Sequence, residues 1–124
     1  MNNILIIEDD PYVQRLYQRI FSHQKYNVEI AGSGREGLQK AHSFKPNLIF
    51  LDIMMPEMNG FDVLKALKEN PDTKNIPVFM LTNFGQEENI KKAMEMGAEG
   101  ILIKSDVPPD KLLKITEENL EKVK

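Results

Sequence analysis

Four short aliphatic runs along the chain stop abruptly at polar residues. They are Ile4-Leu5-Ile6-Ile7 before Glu8, Leu48-Ile49-Phe50-Leu51 before Asp52, Val78-Phe79-Met80-Leu81 before Thr82, and Ile101-Leu102-Ile103 before Lys104. A fifth segment, Asn27 to Ala31, alternates Val28 and Ile30 with polar neighbours. Continuous aliphatic runs suit strands covered on both faces of a parallel sheet, and the alternating one suits an edge. Between the runs, apolar residues recur at helical spacing. Val13, Leu16, Tyr17, Ile20 and Phe21 form one stripe, with Pro11 placed for a first helical turn after Asp9-Asp10. Leu38, Ala41 and Phe44 mark a second helix, stopped by Lys45-Pro46, and Phe61, Leu64 and Leu67 a third, ended by Asn70-Pro71. Ile90, Ala93 and Met94 mark a fourth, with Gly97 as its C-terminal cap. Leu112, Leu113, Ile115, Leu120 and Val123 mark a fifth after Asp106-Val107-Pro108, with Glu117 to Lys124 reading as a solvated end.

Strand and helix thus alternate five times, which predicts an α/β fold: a five-stranded parallel sheet doubly wound with helices on both faces. A length of 124 residues suits one domain over 1–124, and 41% apolar residues suffice for one core. No apolar run is long enough to span a bilayer, and the N-terminus carries no basic segment or cleavage site, so a cytoplasmic protein without membrane contact is expected. The absence of cysteine excludes disulfides, thiol nucleophiles and thiolate metal sites. A net charge of −3 gives no general positive field for nucleic acid.

In a parallel sheet all strand C-termini lie on one edge, where ligands bind in open α/β folds. Glu8, Asp9, Asp52, Thr82 and Lys104 sit at or just beyond four such ends. Crowded carboxylates repel unless a cation is present. Mg²⁺ suits one or two carboxylates with waters and a phosphate. A carboxylate beside it can attack phosphorus and form an aspartyl phosphate, with Thr82 and Lys104 supplying donors to the phosphoryl oxygens. Taken singly, each residue has a blander reading: Asp9 or Asp10 as a helix cap, Thr82 as a turn residue, Lys104 as a solvated charge. Their joint occurrence at one edge favours the chemical reading.

With those residues in place, the chain resembles the receiver domains of bacterial response regulators, the chemotaxis-regulator type included, over essentially its whole length. Ile4 to Asp10 is similar to the family's opening strand with its acidic pair, and Asp52-Ile53-Met54-Met55-Pro56-Glu57-Met58-Asn59-Gly60 to its phosphoacceptor loop. Met80-Leu81-Thr82 resembles the switch strand, and Gly97-Ala98-Glu99-Gly100 with Lys104 the last characteristic segment. The resemblance implies a flavodoxin-like (βα)5 fold with strand order 2-1-3-4-5. It implies Asp52 as phosphoacceptor, and Mg²⁺ held by Asp9, Asp52 and the main-chain carbonyl of Met54, with Glu8 reaching it through a water. Thr82 and Lys104 would bond the phosphoryl group. The donor would be a phosphohistidine on a sensor histidine kinase or a histidine phosphotransfer protein, and the output a change in binding to a downstream protein. Catalysis would be limited to the chain's own phosphoryl transfer and dephosphorylation.

The chain departs from the family pattern at three places. Ser105 stands where Pro usually follows the lysine, and a cis bond to a non-proline residue costs about 3 kcal/mol, so a trans link is expected. Ile101 replaces the usual aromatic switch residue, and Asn83-Phe84 replaces a small residue after Thr82. A rotating phenol therefore cannot report Thr82. The expected route is the loop from Thr82 to Gln86, with Phe84 as reporter, and the helix from Glu87 to Met96, with Ile101 staying packed. Three rival readings follow. Gly32-Ser33-Gly34-Arg35-Glu36-Gly37 spells a dinucleotide-binding pattern, but it follows an edge strand while the first strand ends in acids that would repel a pyrophosphate. A turn and helix start is the preferred reading. A small Mg²⁺-dependent phosphatase would want a second acid two residues after Asp52, where Met54 stands. A receiver-like interaction module that is never phosphorylated is the third. The methionines, including Met54, Met55 and Met58, are read as packing residues.

Overall fold

The computed structural model describes residues 2–83 and 87–122, without the side chains of 121 and 122. Met1, the expected reporter Phe84 with the loop as far as Gln86, and Val123 and Lys124 of the last helix lie outside the described residues. The order is β1 (Asn2–Ile7), α1 (Pro11–Phe21), β2 (Tyr26–Ala31), α2 (Gly34–Ser43), β3 (Leu48–Asp52), α3 (Gly60–Glu69), β4 (Val78–Thr82), α4 (Glu87–Glu95), β5 (Gly100–Ile103) and α5 (Pro109–Lys122). All neighbouring strands pair in parallel, in the order β2-β1-β3-β4-β5. This is the doubly wound fold expected.

Successive side chains of a strand face opposite sides of the sheet, and the core divides accordingly. Leu5, Ile7, Ile49, Leu51, Val78 and Met80 meet Ala41 of α2, Leu64 and Leu67 of α3 and Ala93 of α4. Ile4, Ile6, Leu48, Phe50, Phe79 and Leu81 meet Tyr17 and Phe21 of α1 and Leu112 and Leu120 of α5. Helix ends follow local chemistry. Asn59 and Asp62 form a reciprocal capping box at α3. Gly97, at φ +98°, closes α4 as its amide bonds the Met94 carbonyl and that of Ala98 the Ala93 carbonyl. No described helix is long and apolar enough to cross a membrane, and no described peptide bond is cis, so Lys104–Ser105 is trans.

Four expectations need correction. The run Ile101–Ile103 is not covered on both faces: β5 is the second edge and is half-buried throughout, because a strand with one neighbour loses cover that periodicity cannot register. Leu16 is 42% exposed and Met94 48%, so neither belongs to a buried stripe. The last helix is not solvated from Glu117 onward, since Asn119 and Leu120 are buried. Asn119 and Thr116 enter the core by bonding the carbonyls of Ile115 and Leu112 with their own side chains.

Candidate functional site

The register Ile7↔Leu51, Asp52↔Leu81 and Thr82↔Ile103 sets the C-terminal ends of four strands side by side. The acidic triplet after β1 is divided by function. Asp10 has extended backbone and caps α1, its carboxylate accepting from the Tyr12 amide at 2.9 Å, with Pro11 at the first helical position. Asp9 is thereby left to the strand-end cluster. Glu8 is fully buried, its Oε1 accepting from the Asp10 amide at 3.1 Å and its main-chain carbonyl from Gln14 Nε2 at 2.6 Å.

Lys104 reaches in from the end of β5. Its amide bonds the Thr82 carbonyl at 2.8 Å. Its Nζ stands between two acids, 2.7 Å from Glu8 Oε2 and 3.1 Å from Asp52 Oδ1. One carboxylate oxygen each from Glu8, Asp9 and Asp52 lie within 4.8 Å of one another. The cluster offers oxygen donors only, the chemistry of a hard cation, and has the geometry to hold a metal ion. Thr82 is buried at the end of β4, whereas the Met54 side chain is 71% exposed on the loop leaving Asp52.

Burial, and then the charge of Glu8, push the Asp52 carboxyl up to about 7, against the charge and hydrogen bond of Lys104, which pull it down. Asp9 adds a smaller upward push. Burial alone would lower the pKa of Lys104, but its bond to Glu8 and the charges of Asp52 and Glu8 outweigh this and raise it. Tyr17, buried below the site, is pushed up to about 12 by burial and by Glu8 and Asp52. Nothing in its helical spacing distinguished it from an ordinary core residue.

The loop after Asp52 is closed by glycine. The Gly60 amide bonds the Ile53 carbonyl at 2.8 Å, and a Cβ at Gly60 would collide with the Asp52 carbonyl oxygen. α3 therefore starts directly against the end of β3. The glycine-rich turn after β2 is structural: Ser33 caps α2 by accepting from the Glu36 amide, and a Cβ at Gly37 would lie 2.6 Å from the Ile7 side chain. A cavity of about 400 Å³ between His42, Lys45, Asp72 and Ile76 adjoins the turn into β3, at the opposite end of the sheet from Asp52, and contains none of the site residues.

Residues 4–117 match the model of the response regulator receiver domain. The chain is 37% identical over 112 residues to a probable transcriptional regulator, ycf29, of Pyropia yezoensis, covering 90% of this chain and 50% of that protein. It is 38% identical over 104 residues to the DNA-binding dual master transcriptional regulator RpaA of Synechocystis, covering 84% and 43%. The chain thus spans about half the length of these relatives. The solved structure of Vibrio cholerae chemotaxis protein CheY4 superposes with a TM-score of 0.88 at 31% identity, covering 95% of this chain and 98% of that one.

Proposed function

The chain belongs to the response regulator receiver domain family, and from that premise we propose that it is switched by phosphorylation of Asp52, with a phosphohistidine of a sensor kinase or phosphotransfer protein as donor. The observation that carries this is Lys104, delivered from β5 to stand between Glu8 and Asp52 with Asp9 beside them. An isolated strand-end aspartate needs no such company.

Asp9, Asp52, the Met54 carbonyl and Glu8 are the groups that would hold Mg²⁺. When bound, the ion offsets the repulsion among these carboxylates and the charge of the incoming phosphoryl oxygens. An Asp52 carboxylate oxygen attacks phosphorus, a P–O bond forms as the P–N bond breaks, and the donor imidazole keeps the electron pair. Lys104 Nζ, already 3.1 Å from Asp52, turns its donors to the phosphoryl oxygens, and the Thr82 hydroxyl donates a further bond. Hydrolysis of the acyl phosphate returns the chain to its starting state, the extent of its own catalysis.

DNA binding and transcription belong to the named relatives. For this acidic chain we place the output in contacts with another protein, and the setting in the cytoplasm where such donors act. The phosphatase alternative is disfavoured because Met54 offers no acid or base at the position that reaction needs. Intact mass after treatment with acetyl phosphate, with and without Mg²⁺, tests the reading. One phosphoryl group should add only with Mg²⁺, and Asp52→Asn should abolish it; unchanged labelling of that variant defeats the assignment.

A further inference from the structure

The methionines do not share one environment. Met80 is fully buried and Met55 is 8% exposed, both in the core layer with Ile49 and Leu51. Met58 and Met96 are partly buried against the same layer. Met54, immediately before the buried Met55, is 71% exposed, and Met94 is 48% exposed on α4. A packing role fits the buried set and fails for Met54, whose side chain leaves the loop of the phosphoacceptor and lies in solvent two residues beyond Asp52. Thioether oxidation follows access to the sulfur.

We propose that Met54 is a modification site at which a peroxide tunes the phosphoryl chemistry of Asp52. The inference rests on the functional reading above. The sulfur attacks one oxygen of hydrogen peroxide; an S–O bond forms as the O–O bond breaks. The sulfur loses two electrons, and the second oxygen leaves as water after taking the proton of the transferred oxygen. The sulfoxide is a strong hydrogen-bond acceptor where an apolar side chain stood. Placed on the loop that leaves Asp52, it holds water beside the acyl phosphate, whose loss requires a water, and shortens the lifetime of the phosphoryl group. The change reverses with methionine sulfoxide reductase, because the modification is an S–O bond and not a broken chain.

The test uses the whole chain and limited hydrogen peroxide. Peptide mass mapping should place the first added oxygen on Met54, ahead of Met94 and well ahead of Met55 and Met80. The phosphoryl lifetime after acetyl phosphate and Mg²⁺ should fall about threefold on oxidation, return after reductase treatment, and respond to peroxide in Met94→Leu as in the unaltered chain. In Met54→Leu the lifetime should be the same before and after peroxide. First oxidation at Met94, or a lifetime unchanged once Met54 is oxidised, overturns the inference while leaving phosphorylation of Asp52 standing. An untreated chain that never accepts the group overturns both.

Discussion

Along β3 every residue from Leu48 to Asp52 is buried, and so is Ile4–Ile7 of β1, whereas β5 is half-buried throughout and α4 buries only Ala93. The acidic side is also pinned: a glycine is forced at 60, Asn59 and Asp62 cap each other, and Asp10 caps α1. On the other side Lys92 rests over the Phe61 ring, 4.4 Å from its centre, as a contact of α4 with α3. Phosphoryl transfer needs reacting groups held in place. A response needs an element whose alternative positions cost little. The sheet supplies the first at β1 and β3, and the sparsely buried α4 offers the second.

Glycine substitutions test the contrast most severely. Gly60→Ala drives a methyl into the Asp52 backbone and should cost about 3 kcal/mol. Gly100→Ala presses on the edge of the Phe79 ring, 2.9 Å away, at an edge strand with room to yield, and should cost about 1 kcal/mol. Denaturant melts of both variants check this; equal losses would erase the distinction between the two sides.

Charge gives the next effect. Asp52 titrates near 3.8 when unfolded and about 7 when folded. The folded state therefore holds the extra proton between those values, and this group makes stability fall as pH rises from about 4 to about 7. Asp52→Asn removes that penalty. Without Mg²⁺ at pH 8 it should gain about 2 kcal/mol, less than the roughly 4 kcal/mol implied by the displacement because Lys104 loses a partner. Thermal melts at pH 8 and pH 4 should show the gain at the first and not at the second.

Smaller still, Lys92→Ala should cost about 0.5 kcal/mol through the lost cation–ring contact, read by the same melts. It should also raise the share of molecules responding to beryllofluoride and Mg²⁺, since it loosens α4. Amide shifts on that addition should be larger at Thr82, Asn83 and α4 than at Ile101. The reverse order would move the response to β5.

Much of this was legible because strand runs that end in acid, hydroxyl or ammonium announce both a parallel sheet and the contents of its edge. Topology then needed no side-chain detail to gather Glu8, Asp9, Asp52, Thr82 and Lys104. What stayed hidden depends on how many neighbours a residue acquires. Ile101–Ile103 reads like Leu48–Leu51 although only the latter lies inside the sheet. Asn119, within the stretch read as solvated, is buried because a side chain that bonds its own helix leaves no trace in periodicity. Met54 and Met55 are indistinguishable as letters and opposite in exposure. Asp9 and Asp10 were ambiguous until backbone angles assigned the cap to Asp10.

The outer strand β2 is guarded against a newcomer. The Ala31 carbonyl accepts from Glu8 and so faces β1, which turns the preceding carbonyl, that of Ile30, away from the sheet. Lys40 Nζ sits on it at 2.7 Å, with Glu29 at 3.6 Å and Glu36 at 3.5 Å. A hydrogen-bonding position that another chain would need is thus already taken by a charged group, and adding a strand there would strand that charge. Colloidal behaviour at high concentration follows: β2 resists strand-on-strand accretion.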